Sequence, residues 1–251
     1  MRGWIGDARD AIVSVFFPAG CRICETLLTR ASRVPICDVC LASFEAPPET
    51  RCEICGQGLA WMTPREGDPP VCRACQQKTY AFVRARSYGW YDGPLVQAIL
   101  LLKWERIEPL GAWFAQRLAE LVRREAEFLA ADVVVPVPLH RQRERERGYN
   151  QAGLISKPLA RKLGLPHRAV LLMRTRPRPN KQVLSLEERW ESVRGAFATR
   201  PGSQVGKPGH IVSPLVVEVV IQEDGGKQAK FERQARSEPF DDLPGAEIIL
   251  V

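Results

Sequence analysis

Cys21-Arg22-Ile23-Cys24, Cys37-Asp38-Val39-Cys40, Cys52-Glu53-Ile54-Cys55 and Cys72-Arg73-Ala74-Cys75 hold all eight cysteines of the 251-residue chain. The stretches between successive pairs are 12, 11 and 16 residues long. Two residues between cysteines let both sulfurs reach one tetrahedral ion, and two such pairs complete a closed four-cysteine site. The eight cysteines therefore read as ligands of two structural zinc ions. Sequential pairing groups Cys21, Cys24, Cys37 and Cys40, then Cys52, Cys55, Cys72 and Cys75. It closes shorter loops than an interleaved scheme, which is the alternative. Disulfides suit secreted chains, and cysteines this close in sequence bridge poorly. A thioredoxin-like redox site needs one such pair in a βαβ setting, not four in a row. Iron–sulfur clusters also use four thiolates, and the spacing alone leaves them open.

The cysteine segment has little else to fold around. Its apolar residues are sparse, and it contains Pro47-Pro48, Pro64 and Pro69-Pro70. A structural zinc supplies about 10–16 kcal/mol of apparent binding free energy, comparable to the net stability of a whole domain.

Beyond Tyr80 the pattern changes. Asp92-Gly93-Pro94 is a turn signal, followed by a helix over Leu95 to Trp104 with Leu95, Ile99 and Leu102 on one side. A second amphipathic helix is expected over Leu110 to Phe128. Asp132-Val133-Val134-Val135-Pro136-Val137-Pro138 then reads as a buried parallel strand ended by its prolines. The loop Pro136 to His140 falls at the strand's carboxyl end, where open α/β sheets bind ligands. Arg141-Gln142-Arg143-Glu144-Arg145-Glu146-Arg147 follows, then a helix from Asn150 to Leu163 that ends at Gly164. The arginine run reads either as an exposed, salt-bridged stretch or as an anion site, since guanidinium groups hold phosphate bidentately and keep their charge.

Several segments together resemble the ComF-type proteins. They are Tyr91-Asp92-Gly93-Pro94 with Lys103-Trp104, Val134-Val135-Pro136-Val137-Pro138-Leu139-His140, Arg145-Glu146-Arg147-Gly148-Tyr149-Asn150-Gln151, and Val193-Arg194-Gly195-Ala196-Phe197. The resemblance runs from about Trp4 to Arg200 and includes the cysteine spacing. It implies an α/β fold: a small N-terminal double zinc ribbon followed by a type I phosphoribosyltransferase-like parallel-sheet domain. It also implies a cytoplasmic protein associated with competence and DNA uptake. The anion site it points to comprises Lys103, Pro138, Leu139, His140, Arg141, Arg145, Arg147, Asn150 and Gln151. The expected organisation is an N-terminal amphipathic helix over 1–18, a double zinc ribbon over 19–79, a phosphoribosyltransferase-like domain over 80–200 and an atypical tail over 201–251.

The tail departs from the family pattern. Members of this fold carry a strand, two acidic residues and a Thr-Thr-Gly loop that cradles the 5′-phosphate of phosphoribosyl pyrophosphate. Here a strand is expected over Ile211 to Ile221, but Gln222-Glu223-Asp224-Gly225-Gly226 follows it without threonines. Asp241-Asp242 leads only to Leu243-Pro244-Gly245, and Ile248 to Val251 is an apolar run. A truncated chain, a frameshifted reading frame and a diverged, inactive relative all account for this. Residues Gln222 to Glu238 are Gly/Lys/Gln/Glu-rich and are expected to be poorly ordered.

Composition limits the remaining classes. Hydrophobic residues at 45% and charged residues at 26% are ordinary for a globular protein. No apolar run reaches the roughly 18 residues of a membrane span. Asp7 and Asp10 sit where an export signal needs positive charge, so Trp4, Ile5, Ala8, Ile12, Val15 and Phe16 read instead as one helix face. Residues 207–251 carry five Lys/Arg against eight Asp/Glu, which leaves a body of net +10 under the overall +7. A basic body suits an anionic partner.

Two function classes follow. One is a phosphoribosyltransferase relative that takes phosphoribosyl pyrophosphate with Mg and binds it without turning it over, because the acidic pair and Thr-Thr-Gly loop are missing; its alternative is an active phosphoribosyltransferase that uses phosphoribosyl pyrophosphate and Mg. The other is a single-stranded DNA-binding zinc-ribbon protein, with Trp61, Tyr88, Trp90 and Trp104 as stacking candidates. Proteins of the competence machinery are further candidate partners.

Overall fold

The computed structural model describes residues 19–30, 32–59, 69–77, 82–177, 188, 194–200, 213–220 and 247–250. The expected helix over 1–18, Trp61, and Glu223-Asp224 and Asp241-Asp242 of the tail lie outside these residues, as does the stretch expected to be poorly ordered.

The cysteine segment builds one motif twice. In the first copy the Cys21 N–H donates to Thr26 O (2.8 Å) and the Glu25 N–H to Cys21 O (2.9 Å), with a bridge between Gly20 and Leu27. In the second, Cys52 N–H donates to Gln57 O (2.8 Å) and Gly56 N–H to Cys52 O (2.9 Å), with a bridge between Arg51 and Gly58. The residue after each second cysteine has positive φ, 62° at Glu25 and 73° at Gly56. Each copy continues into a short helix whose N-cap is the third cysteine: α1 (Asp38–Ala42) after Cys37 and α2 (Arg73–Gln76) after Cys72.

The body alternates strands and helices: β1 (Arg84–Gly89), α3 (Gly93–Trp104), α4 (Pro109–Val122), α5 (Ala126–Leu129), β2 (Val133–Val135), α6 (Arg141–Arg147), α7 (Gln151–Leu163), β3 (Leu172–Arg174), β4 (Phe197–Thr199), β5 (Ser213–Val220) and β6 (Glu247–Leu250). The main sheet runs β1-β5-β6-β2, and every pairing in it is parallel. β3 and β4 form a separate antiparallel ribbon. Residues 248–250 of the apolar run are thus part of the sheet, with Leu250 in register with both Val135 and Val216.

Helix boundaries follow local chemistry. Asp92 does not make a free turn but caps α3, its carboxylate accepting from the Gly93 N–H (2.7 Å), with Pro94 in the first turn. Asn150 and Gly164 cap α7 at its two ends, the glycine at φ 72°. The helix expected from Leu110 to Phe128 is broken after Val122. Arg123-Arg124-Glu125 offers no apolar side chain to continue the buried stripe, and Glu125 is instead engaged by Arg86.

Leu95, Ile99 and Leu102 of α3 are buried as the spacing predicts, against Phe114 and Leu118 of α4, Val134 of β2 and Leu159 of α7. Helices α4 and α7 approach closely at Gly111, where an added Cβ would lie 2.7 Å from Leu154 O. Pro158 has no N–H to offer that carbonyl, which leaves Leu154 O turned toward α4. Cys21, Ile36 and Cys40 of the first knuckle belong to this same core. The second knuckle forms its own small cluster of Cys52, Leu59, Cys72 and Cys75.

That second knuckle covers the edge of β1 that β5 leaves open. The Ala85 N–H donates to Ile54 O at 2.7 Å, and an added Cβ at Gly56 would sit 2.8 Å from Ala85 O. A charged network seals the contact. Arg86, 1% exposed, pairs with Glu125 (2.9 Å) and Glu53 (3.2 Å) and donates to Glu53 O (3.0 Å), while Arg84 also reaches both carboxylates and Arg51 reaches Glu125. Removing one partner of a buried pair strands the other charge away from water. Glu125→Ala is expected to destabilise the protein by about 3–5 kcal/mol in urea unfolding, and replacing both members, Arg86→Met with Glu125→Leu, is expected to recover most of that loss.

Candidate metal centres and a basic strand-end loop

The structure groups the cysteine sulfurs in the sequential order. Those of Cys21, Cys24, Cys37 and Cys40 lie within 4.8 Å of one another, and so do those of Cys52, Cys55, Cys72 and Cys75. Individual separations are 3.6 Å for Cys24–Cys37, 3.6 Å for Cys55–Cys72 and 3.9 Å for Cys21–Cys40. A disulfide needs about 2.05 Å. Four sulfurs placed tetrahedrally about 2.3 Å from one ion stand about 3.8 Å apart. A multi-iron cluster attaches its thiolates to different metal atoms and needs wider separations. Both sets therefore fit a single four-coordinate ion, and either could hold zinc.

Backbone amides complete the donor set. The Cys37 N–H donates to the Cys21 sulfur and the Cys72 N–H to the Cys52 sulfur, each at 3.3 Å. Such bonds favour the thiolate form that a metal requires. Cys24 is held down to about 6, first by the Thr26 hydroxyl 3.4 Å away and then by the Thr26 amide. With four protein ligands each, neither set leaves an open position for catalysis. The two sets differ in setting: Cys24 is exposed, whereas Cys52, Cys72 and Cys75 are buried and Cys55 half-buried.

A second candidate site begins where β2 ends. Val133, Val134 and Val135 are fully buried, and the chain then emerges through Pro136 to His140 into α6. All strands of the main sheet are parallel, so this loop sits at their common carboxyl edge. Helix α6 exists because its ends are capped. His140 Nδ1 accepts from the Gln142 N–H (3.4 Å), and Gly148 takes φ 86° at the other end. Arg141, Glu144, Arg145 and Gly148 recur at helical spacing and line an open hollow of about 410 Å³.

The expected anion-site residues divide on inspection. Arg141 and Arg145 are exposed and reach the hollow. Asn150 is committed to structure: its side chain accepts from the Ala152 N–H (3.0 Å) and donates to Val137 O (3.0 Å), tying α7 to the loop. His140 is the cap just described, and Pro138 and Leu139 are half-buried in the loop. Arg147 lies over the Trp104 ring, 4.6 Å from its centroid, and donates to Gln151 Oε1 (2.8 Å). Burial, then the charge of Arg143, lowers its pKa. Lys103 is half-buried at the end of α3. The Tyr149 hydroxyl donates to Leu102 O, which joins the two motif segments in space.

The stacking candidates divide too. Tyr88 is half-buried, its ring set edge-on against Trp113 at 6.0 Å, and Trp90 packs on Gly58. Trp104 is 59% exposed. Sequence reasoning passed over Glu144 and Gly148 in the hollow and Arg143 beside Trp104 (5.9 Å). Their signal was the i, i+4 spacing of Arg143 and Arg147 on a helix whose caps, His140 and Gly148, stand in the sequence.

The chain matches no family model. No solved structure matches it. It is similar to the DNA utilization protein YhgH of Salmonella typhi, 30% identical over 185 residues that cover 72% of this chain and 77% of that protein. The Competence protein F of Haemophilus influenzae is 26% identical over 190 residues, covering 73% and 77% of the two chains. The DNA utilization protein YhgH of Escherichia coli K12 is 28% identical over 183 residues, covering 72% and 77%.

The difference in exposure between the two cysteine sets is directly measurable. Elemental analysis of purified protein is expected to return two zinc per chain. A metallochromic chelator is expected to remove them in two phases, with Cys24→Ser abolishing the faster phase and Cys52→Ser the slower. One phase in the parent chain would show that burial does not distinguish the sites. Cysteine sets, strand-end loop and the Arg-Gly-Tyr-Asn-Gln segment thus stand together in a chain that matches these relatives over most of their length, and the chain belongs to the ComF family.

Proposed function

We propose that this protein is a two-zinc, phosphoribosyltransferase-like protein that binds a pyrophosphate-bearing ligand and serves DNA uptake or utilisation in the cytoplasm, as a binder and not as a catalyst. The observation that carries this reading is the pair Arg141 and Arg145, exposed on one face of α6 at the hollow that follows the β2 strand-end loop. Two guanidiniums one helical turn apart offer several N–H donors and two permanent charges to one phosphate group. The parallel sheet and the loop's place at its carboxyl edge are what a phosphoribosyltransferase-like domain would need. The DNA-related role comes from the names of the relatives, DNA utilization protein and Competence protein F.

The preference for binding rests on the sequence after β5, where Gln222-Glu223-Asp224-Gly225-Gly226 stands in place of an acidic pair with Thr-Thr-Gly. Without that loop nothing in the sequence matches the family's cradle for a ribose 5′-phosphate. Magnesium would arrive with the ligand, and Glu144 is the carboxylate beside the two arginines in the hollow.

The structural zinc ions would act through folding. Each closes a knuckle whose apolar content is small, and the second knuckle supports the β1 edge.

Isothermal titration with pyrophosphate, and with phosphoribosyl pyrophosphate and Mg²⁺, is expected to show binding that raises the melting temperature. Arg141→Ala with Arg145→Ala is expected to weaken it at least tenfold, about 1.4 kcal/mol or more, while leaving the melting temperature of the free protein unchanged. Equal binding by parent and variant would remove α6 from the site. Turnover of phosphoribosyl pyrophosphate with any nucleobase would overturn the preference for binding.

A further inference from the structure

We propose that Trp104, Arg143, Arg147 and Gln151 form a stacking station for one nucleobase, so that a nucleotide unit is held with its base on the indole and its phosphate toward Arg141 and Arg145. The phosphate half rests on the anion reading of the hollow; the base half stands on separate observations.

Trp104 ends α3 with 59% of its surface exposed, yet its position is fixed. The Tyr149 hydroxyl binds Leu102 O, which holds the α6–α7 junction against the end of α3. The guanidiniums of Arg147 and Arg143 sit 4.6 and 5.9 Å from the indole centroid. Both come from one helix, one turn apart, so they approach from the helix side and hold the ring there as a cation–π pair. A rigid, cation-backed aromatic face in water is what unpaired bases stack on.

Polar groups beside the ring point the same way. Gln151 is 8% exposed. Its Oε1 accepts from Arg147, but its Nε2 is buried with no partner among the described residues, and Arg147 Nε is in the same state. Buried donors without acceptors are uncommon and call for an explanation. The phosphate and sugar oxygens of a nucleotide lodged against α6 are acceptors of the kind these donors lack. The hollow lined by Arg141, Glu144, Arg145 and Gly148 lies on a neighbouring face of the same seven-residue helix, so base and phosphate contacts fall side by side.

The shared chemistry is a base carrying a phosphate, which a free mononucleotide and a single strand both offer. The test titrates the full chain with a thymidine oligomer, an abasic oligomer of the same length, thymidine monophosphate and pyrophosphate, read by calorimetry and by tryptophan emission. The parent is expected to bind the thymidine oligomer about tenfold more tightly than the abasic one. Trp104→Ala is expected to erase that difference while leaving abasic binding intact, and Trp104→Phe to keep part of it. The exposed position makes both variants foldable, which circular dichroism checks. Thymidine monophosphate binding as tightly as the oligomer would assign the station to free nucleotides, and a much tighter oligomer would assign it to strands. No base preference in the parent, or a preference untouched by Trp104→Ala, overturns the station. A base preference that depends on Trp104 in a chain that ignores pyrophosphate would leave the station standing and sink the anion reading instead.

Discussion

An outer strand of a sheet exposes backbone donors and acceptors that must be paired, solvated or covered. Here β1 takes its outer partner from the second cysteine knuckle, through the Ala85 N–H and Ile54 O. The knuckle holds its shape only where four sulfurs converge, because its apolar cluster amounts to Cys52, Leu59, Cys72 and Cys75 with a few half-buried neighbours. Sulfur geometry, knuckle backbone and sheet edge therefore form one chain of dependence. Gly56 shows how close the fit is, since its positive φ and its distance to Ala85 O both exclude a side chain.

Charge does for this contact what hydrophobic packing does elsewhere. Arg86 is buried almost completely on β1 and is neutralised by Glu53, inside the knuckle, and Glu125, between α4 and α5. Pairs of this kind give little net stability over apolar substitutes, but they penalise any arrangement that separates the partners. The network thus fixes which knuckle meets which strand. The first knuckle is held differently, through Cys21, Ile36 and Cys40 in the main core and an ion pair between Arg22 and Glu105. The same motif, built twice, is attached once through a buried charge network and once through apolar packing with an exposed ion pair.

Around the strand-end loop, many of the conspicuous polar residues are engaged in holding the loop itself. His140 and Asn150 cap helices, Asn150 also fastens Val137, and Tyr149 ties the junction to α3. This leaves Arg141 and Arg145 facing solvent on one face of α6 and Arg143 and Arg147 against Trp104 on another. A rigid frame that presents a small number of charged groups suits recognition, since little side-chain and loop entropy remains to be lost on binding.

The cysteine spacing by itself determined that two compact metal-binding sets could form, because a two-residue gap brings sulfurs together whatever surrounds them. The buried character of Val133 to Val135, the stripe of Leu95, Ile99 and Leu102, and the caps at Asn150 and Gly164 were equally legible, since each is a local matter of period or end chemistry. Only the tertiary structure decided the rest. The break after Val122 turns on Arg86, 36 residues before Val122 in the chain, and the stacking of Arg143 and Arg147 turns on Trp104 at the end of another helix. Which knuckle covers β1, and the place of 247–250 between β5 and β2, likewise follow from contacts between distant segments. Periodicity and capping act within a few residues, whereas these features depend on which surfaces meet once the chain has collapsed.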